Sequence, residues 1–126
     1  MAAASTYLAN KLLDHALGVD AFTMPSPIYV ALNTSDPTAA GTDTEYTGGS
    51  YERYESTFDA AVDAATQNSA IITFNSLTVT TITHVSIWDD DTAGNMLFFG
   101  ELNDAITTAN GDNLNFDTGD LDLSIA

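Results

Sequence analysis

The chain has 126 residues, 18 acidic residues against two basic ones, a net charge of −16 and no cysteine. This length is typical of one domain with its own core, so the sequence predicts a single domain over residues 1–126. The charge argues against binding to nucleic-acid phosphates or anionic membranes, and the missing thiols exclude disulfides and thiolate metal sites.

A short N-terminal helix is predicted over about residues 5–17. Ser5 can cap its start, and Gly18 can end it in the left-handed region. Apolar residues recur at helical spacing and form one stripe. This stripe either covers part of its own domain or docks on a neighbouring subunit. In the second case the candidate contact residues are Tyr7, Leu8 and Leu12.

The remainder of the chain is predicted as β-structure. The last strand alternates most clearly, with Leu121, Leu123 and Ile125 on its inner side. The stretch 59–68 is interpreted as a loop or a short helical turn. Short strands separated by turn residues predict a mainly β fold, an antiparallel β-sandwich or barrel with a short N-terminal helix. The predicted strands are SPIYVALN, YESTF, SAIITF, TITHVSIW, NMLFFGEL, AITT, DNLNF and DLDLSI.

One predicted strand, TITHVSIW, has a regular alternation of its own. It predicts Ile82, His84 and Trp88 on one side and Val85 and Ile87 on the other. His84 is expected to pack at the edge of the core.

A long polar stretch over residues 33–55 is rich in Thr, Gly and Asp and is predicted to be a loop. Long loops in compact domains are usually functional or mobile. Tyr46, Tyr51 and Tyr54 cluster there, and tyrosine offers contact area at little entropy cost. The sequence is compatible with three roles for these tyrosines: packing at a sheet edge, a subunit contact and a glycan-binding surface. Arg53, in the same stretch, is expected to be paired and to have a structural role.

The aspartates of IWDDDTAGNM raise the question of a metal site, for which Asp89 and Asp91 are the candidates. A calcium loop starting at Asp89 would have suitable residues at Asp91 and Gly94. It fails at Ala93 and Gly100, where ligands are needed. A hairpin connection built on Asx turns is therefore the favoured interpretation. Neighbouring acids on one turn do not make a catalytic pair, and neither a catalytic nor a cofactor site is predicted.

The order of segments resembles a family of small structural proteins of tailed bacteriophages and archaeal tailed viruses, described as head decoration, head fibre, minor tail or tail-fibre-associated proteins. The resemblance rests mainly on YVALNTSDPT, GGSYER and THVSIWD with GNMLFFGEL. It implies a β-rich accessory protein that forms a symmetric oligomer and docks on a shell or a tail. Its partners would be its own copies and the major capsid or tail proteins.

The resulting hypothesis is a non-enzymatic structural component of a tailed-virus particle, most simply a capsid decoration or turret protein that contributes to the head surface and its stability. A minor tail or fibre-base protein is the alternative, and a module that binds a glycan or the host surface is another. The protein would be assembled in the host cytoplasm and reside in the virion.

The excess of acids favours a salt-rich environment over the alternative, an acidic protein from an ordinary source. Self-repulsion of 18 acids destabilises the fold at low ionic strength. At molar salt the Debye length falls to about 3 Å, and the repulsion is screened. The interior of a salt-in halophile would supply such conditions.

Overall fold

The computed structural model describes residues 2–125. It confirms the prediction of a mainly β fold with one short N-terminal helix. The elements in chain order are β1 (Ala2–Ala4), α1 (Thr6–Ala16), β2 (Ile28–Asn33), β3 (Tyr54–Ser56), β4 (Ala65–Gln67), β5 (Ile72–Leu77), β6 (Thr80–Trp88), β7 (Met96–Thr108), β8 (Asp112–Phe116) and β9 (Asp122–Ser124).

The strands form two sheets that enclose the core. The larger sheet has seven strands in the order β3-β2-β6-β7-β1-β9-β4, and the smaller is the pair β5-β8. Neighbouring strands are antiparallel except β1 and β9, which are parallel. Apolar side chains from both sheets meet between them and exclude water, which is the main stabilising term. The core residues are Val30, Leu32, Tyr46, Ile72, Phe74, Leu77, Ile82, Val85, Ile87, Phe116, Leu121 and Leu123.

The large sheet curls until its two edges meet at one end. The N–H of Asp59 donates to the carbonyl of Gln67 at 2.9 Å, and the N–H of Ser69 donates to the carbonyl of Thr57 at 2.9 Å. These bonds join the chain after β3 to β4. The described residues 2–125 do not continue this pairing into a closed barrel.

The stretch 59–68, which the sequence assigned to a loop or a helical turn, contains strand β4. A tight hairpin precedes it, in which Val62 and Ala65 exchange backbone hydrogen bonds of 2.9 and 3.0 Å. Asp63 and Ala64 between them have φ of 52° and 63°. Two successive left-handed residues match the twist of a two-residue hairpin. The pair Asp-Ala is a weak signal for this turn, and the expectation of a helical turn was therefore wrong.

A bulge breaks the alternation that the sequence predicted for β6. Ile82 is opposite Ile106, but the next pair is His84 with Glu101, so residues 102–105 of β7 stand opposite one residue of β6. The ladder is irregular between Ile82 and His84, and the alternation of side chains along β6 is interrupted at the same place. Ile82 therefore enters the core, on the side of Val85 and Ile87, and the prediction that grouped it with His84 was wrong. NMLFFGEL and AITT, which were predicted as separate strands, form the single strand β7, and the bulge lies between its two paired parts.

The end of the chain also departs from its pattern. Leu121 and Leu123 are buried as predicted, but Ile125 is 63% exposed. Strand β9 ends at Ser124. Ile125 lies beyond the strand, so the alternation of inward and outward side chains does not extend to it.

Helix α1 is anchored at its start and free at its end. Ser5 caps it by accepting a hydrogen bond from the N–H of Leu8 at 3.1 Å, and the Ser5 hydroxyl donates to the carbonyl of Met96 at 2.5 Å. Leu8 is the buried residue of the helix. Leu13 and Leu17 are 58% and 75% exposed. The helix thus covers its own domain through its first turn and leaves later apolar residues uncovered.

Candidate functional site

The most extensive polar arrangement surrounds Arg53, whose side chain is 6% exposed. Its Nε lies 3.1 and 3.2 Å from the two carboxylate oxygens of Glu45, and its Nη2 lies 2.9 Å from Oε1 of the same residue. Its Nη1 donates to the carbonyl oxygens of Asp90 and Ala93, both at 2.8 Å. Within residues 2–125 this is the one ion pair. The paired, structural role expected of Arg53 agrees with these contacts.

The guanidinium also lies over an aromatic ring. Its carbon is 4.1 Å from the ring centroid of Trp88, a cation–π contact that strengthens when water is excluded. One residue thus contacts the loop 34–53, strand β6 and the turn 89–95. We call this group of Arg53, Glu45 and Trp88 the arginine clamp.

A chain of hydrogen bonds continues from the arginine clamp across the sheet. Trp88 Nε1 donates to the Ser86 hydroxyl at 2.8 Å, and Ser86 donates to Asn33 Oδ1 at 2.7 Å. Asn33 Nδ2 in turn donates to the Thr44 hydroxyl at 3.1 Å. Asn33 and Ser86 are buried, although they point to the face of β2 and β6 away from the core. The loop therefore covers this second face of the large sheet.

Tyr51 links the arginine clamp to the core. Its hydroxyl donates to Glu45 at 2.7 Å and accepts from the N–H of Leu32 at 3.0 Å. Its ring stacks on Phe74, with 5.8 Å between the centroids. Burial raises the pKa of Tyr51 most, and the hydrogen bond to Glu45 and the charge of that residue raise it further. The phenol is thus held in its neutral form.

The other tyrosines of the loop have different environments. Tyr46 is 2% exposed, and its hydroxyl accepts a hydrogen bond from the N–H of Thr78 at 2.8 Å. Tyr54 is 36% exposed and is the first residue of the edge strand β3. Because Tyr46 and much of Tyr51 lie inside the fold, a subunit contact or a glycan surface on this loop would depend on Tyr54 and the exposed polar residues. Those roles stay predictions.

The three contact candidates of helix α1 also differ. Leu8 is buried, whereas Tyr7 and Leu12 are half-buried. The ammonium of Lys11 lies 5.9 Å from the centroid of the Tyr7 ring. The contact role of these residues stays a prediction as well.

The carboxylates considered for a metal do not converge. Asp89 accepts hydrogen bonds from the N–H of Asn95 at 2.7 Å and from its side-chain amide at 3.0 Å. Gly94 has φ +74°, and a Cβ there would stand 2.6 Å from the Asp89 carboxylate. Asp91 is exposed. Across residues 2–125 no three acidic or histidine side chains are grouped as metal ligands. Asp89 and Gly94 thus close a hairpin turn.

The acidic partner of Arg53 could not be read from the sequence. With two basic residues among 18 acidic ones, pairing was expected, but eighteen partners were available. Trp88 lies 35 positions further along the chain, and its contact with Arg53 depends on the loop folding back over the sheet. The useful signal was the presence of an arginine in an otherwise acidic loop.

The fold is a β-sandwich. The arginine clamp fixes the loop 34–53 and the turn 89–95 against the large sheet. The chain belongs to the family of the podophage GP4 fiber I protein gp80, whose family model matches residues 3–124. The resemblance to structural proteins of tailed phages is confirmed at this level. A comparison with curated proteins gave no match. None of the helices within residues 2–125 is long and apolar enough to cross a membrane.

Proposed function

We propose that the protein is a structural component of a phage fibre or of the site where a fibre joins the particle. The observation that carries this proposal is the family match, which spans residues 3–124 and so includes every strand of both sheets except the first residue of β1. The family description names a fibre protein. It therefore favours the minor tail or fibre-base alternative over a capsid decoration or turret protein.

The contact surface that we propose is the uncovered side of helix α1. A helix advances about 100° per residue, so Leu17 lies on the side of the helix axis opposite the buried Leu8. Leu13 and Leu17 are 58% and 75% exposed, and Val19 after the helix is 74% exposed. Exposed apolar patches on soluble proteins often mark protein–protein contacts. Leu8 would anchor the helix, and Leu13 and Leu17 would meet other copies or another virion protein.

The location can be tested on purified virions. Quantitative mass spectrometry gives the copy number per particle, and gold-labelled antibodies in electron micrographs give the position. A small copy number with label at the tail would support the fibre role. Hundreds of copies distributed over the head would contradict it and favour decoration.

The contact surface can be tested with charge substitutions. Leu13→Glu and Leu17→Glu should leave the melting temperature nearly unchanged, because both side chains are exposed. Virions assembled with either variant should lose the protein. Val79→Glu is the matched control, since Val79 is 67% exposed elsewhere on the molecule. Equal incorporation of all three variants would contradict a contact through α1.

A salt-rich environment remains part of the proposal. All 18 acidic side chains are exposed or half-buried, and Glu45 alone has an ion-pair partner within residues 2–125. A surface whose negative charges lack positive partners destabilises the fold least where salt screens their repulsion.

A further inference from the structure

The core of the sandwich is open on one side. A cavity of about 420 Å³ lies between β7 and the strands β8 and β9. Its floor consists of core side chains, among them Val85, Ile87, Phe116, Leu121 and Leu123. The volume falls within the range of roughly 300–1,000 Å³ that is usual for binding pockets.

Two of the strands beside this opening, β7 and β8, have an edge without a strand partner within residues 2–125. In the part of the chain that the structure describes, β8 pairs with β5 alone. Strand β1 pairs with β7 only as far as Gly100, so residues 101–108 of β7 have a strand neighbour only in β6 within residues 2–125. Unpaired strand edges accept added chain segments through backbone hydrogen bonds. An extended segment thus fits the opening better than a compact ligand.

The rim of the opening is acidic. Glu101, Asp104, Asp120 and Asp122 line it together with the apolar floor. The two basic residues of the chain, Lys11 and Arg53, are not among its lining residues. Arg53 is held in the arginine clamp. An occupant must therefore bring its own positive charge.

We propose that this opening binds an extended segment of another protein, with apolar side chains that enter the cavity and lysine or arginine side chains that face the four carboxylates. A second copy of this chain fits less well, because it brings a further net charge of −16. The proposal goes beyond the fibre role, which does not depend on it.

The experiment uses the intact ¹⁵N-labelled chain and two synthetic ten-residue peptides, one alternating lysine and valine and the other glutamate and valine. The lysine peptide should shift the amide signals of Gly100, Leu102 and Phe116. Its affinity should fall by about tenfold between 0.1 and 1 M NaCl, since salt screens the attraction. The glutamate peptide should not bind.

Matched variants localise the site. The side chains of Glu101 and Asp104 are exposed and accept no hydrogen bond within residues 2–125. Glu101→Gln with Asp104→Asn should therefore weaken binding of the lysine peptide several-fold without changing the fold. Glu52→Gln with Asp63→Asn removes the same charge elsewhere and should leave the affinity nearly unchanged.

Three results would overturn the proposal. The first is no binding of the lysine peptide, and the second is equal binding of both peptides or an equal effect of the two double variants. The third is self-association, measured by sedimentation, that strengthens with salt and is blocked by Leu102→Asp. That result would assign the opening to a second copy, because salt screens the repulsion between like chains.

Discussion

The guanidinium of Arg53 lies 4.1 Å from the ring centroid of Trp88 while it binds Glu45 and two carbonyl oxygens of the turn 89–95. Three segments distant in sequence are therefore fixed by one side chain. The guanidinium suits this position because it offers a planar fork of donors and stacks on aromatic rings. A lysine could supply the charge but not the geometry.

Removing the arginine should destabilise the protein strongly. In Arg53→Ala, Glu45 loses its charged partner in a largely buried position, and we expect a loss of about 3 kcal/mol in the free energy of unfolding. Arg53→Lys should lose less. Trp88 is the sole tryptophan, so its fluorescence reports both unfolding in urea and the lost contact. A wild-type urea midpoint for Arg53→Ala would show that the clamp is not a source of stability.

Tyr51 should make the protein sensitive to alkali. Its pKa is raised above the usual value of 10 by burial first and then by Glu45. The folded chain thus keeps a proton that the unfolded chain loses. The stabilisation is complete below about pH 10, the tyrosine pKa in the unfolded chain, and is lost as the pH rises beyond it. Urea denaturation between pH 8 and 11 should show this decline.

Two phenylalanine variants separate Tyr51 from the other tyrosines. Tyr51→Phe should lose about 1–3 kcal/mol at pH 7, because the N–H of Leu32 and the carboxylate of Glu45 each lose a partner, and its alkaline decline should be shallower. Tyr54→Phe should keep the wild-type slope, since Tyr54 is the more exposed. An identical slope in all three chains would contradict the assignment to Tyr51.

Periodicity predicted the strands because their burial pattern is local. The inner positions Leu121 and Leu123 could be identified within a few residues of sequence. The tyrosines of the loop could not, since their positions depend on distant partners. Tyr46 is held by Thr78, and Tyr51 by Leu32 and Phe74. Two of the residues predicted to contact a partner, Tyr46 and Tyr51, thus pack inside the chain itself.

The bulge in β7 shows a second limit. The sequence ELNDAI contains no glycine or proline to mark an irregularity. The three extra residues of β7 are visible only when Ile82 and His84 are aligned with their partners on β7. The sequence of one strand does not show which face of the sheet a side chain occupies beyond a bulge. That face depends on the register between the two paired strands.

Asp89 and Asp91 should respond differently to substitution. Asp89→Ala removes both hydrogen bonds to Asn95 and should lower the free energy of unfolding by about 1–2 kcal/mol. Asp91→Ala should change it by less than about 0.5 kcal/mol, because Asp91 is exposed. Thermal melts with and without 5 mM calcium chloride (roughly the millimolar affinity of weak extracellular sites) check both points. A calcium-induced rise in melting temperature that either variant abolishes would restore the metal interpretation.

Salt should stabilise the protein through its acidic surface. Raising NaCl from 0.1 to 2 M shortens the range of repulsion among the carboxylates, and we expect the melting temperature to rise by roughly 8 °C, which corresponds to about 2 kcal/mol for a chain of this length. The triple variant Glu52→Gln, Asp63→Asn, Asp104→Asn removes three exposed charges. It should melt higher than the wild type at 0.1 M and gain less from salt. Salting-out of apolar surface acts almost equally on both chains, so the difference between their gains isolates the effect of charge. Equal gains would mean that carboxylate repulsion does not govern stability, and the inference of a salt-rich environment would lose its physical basis.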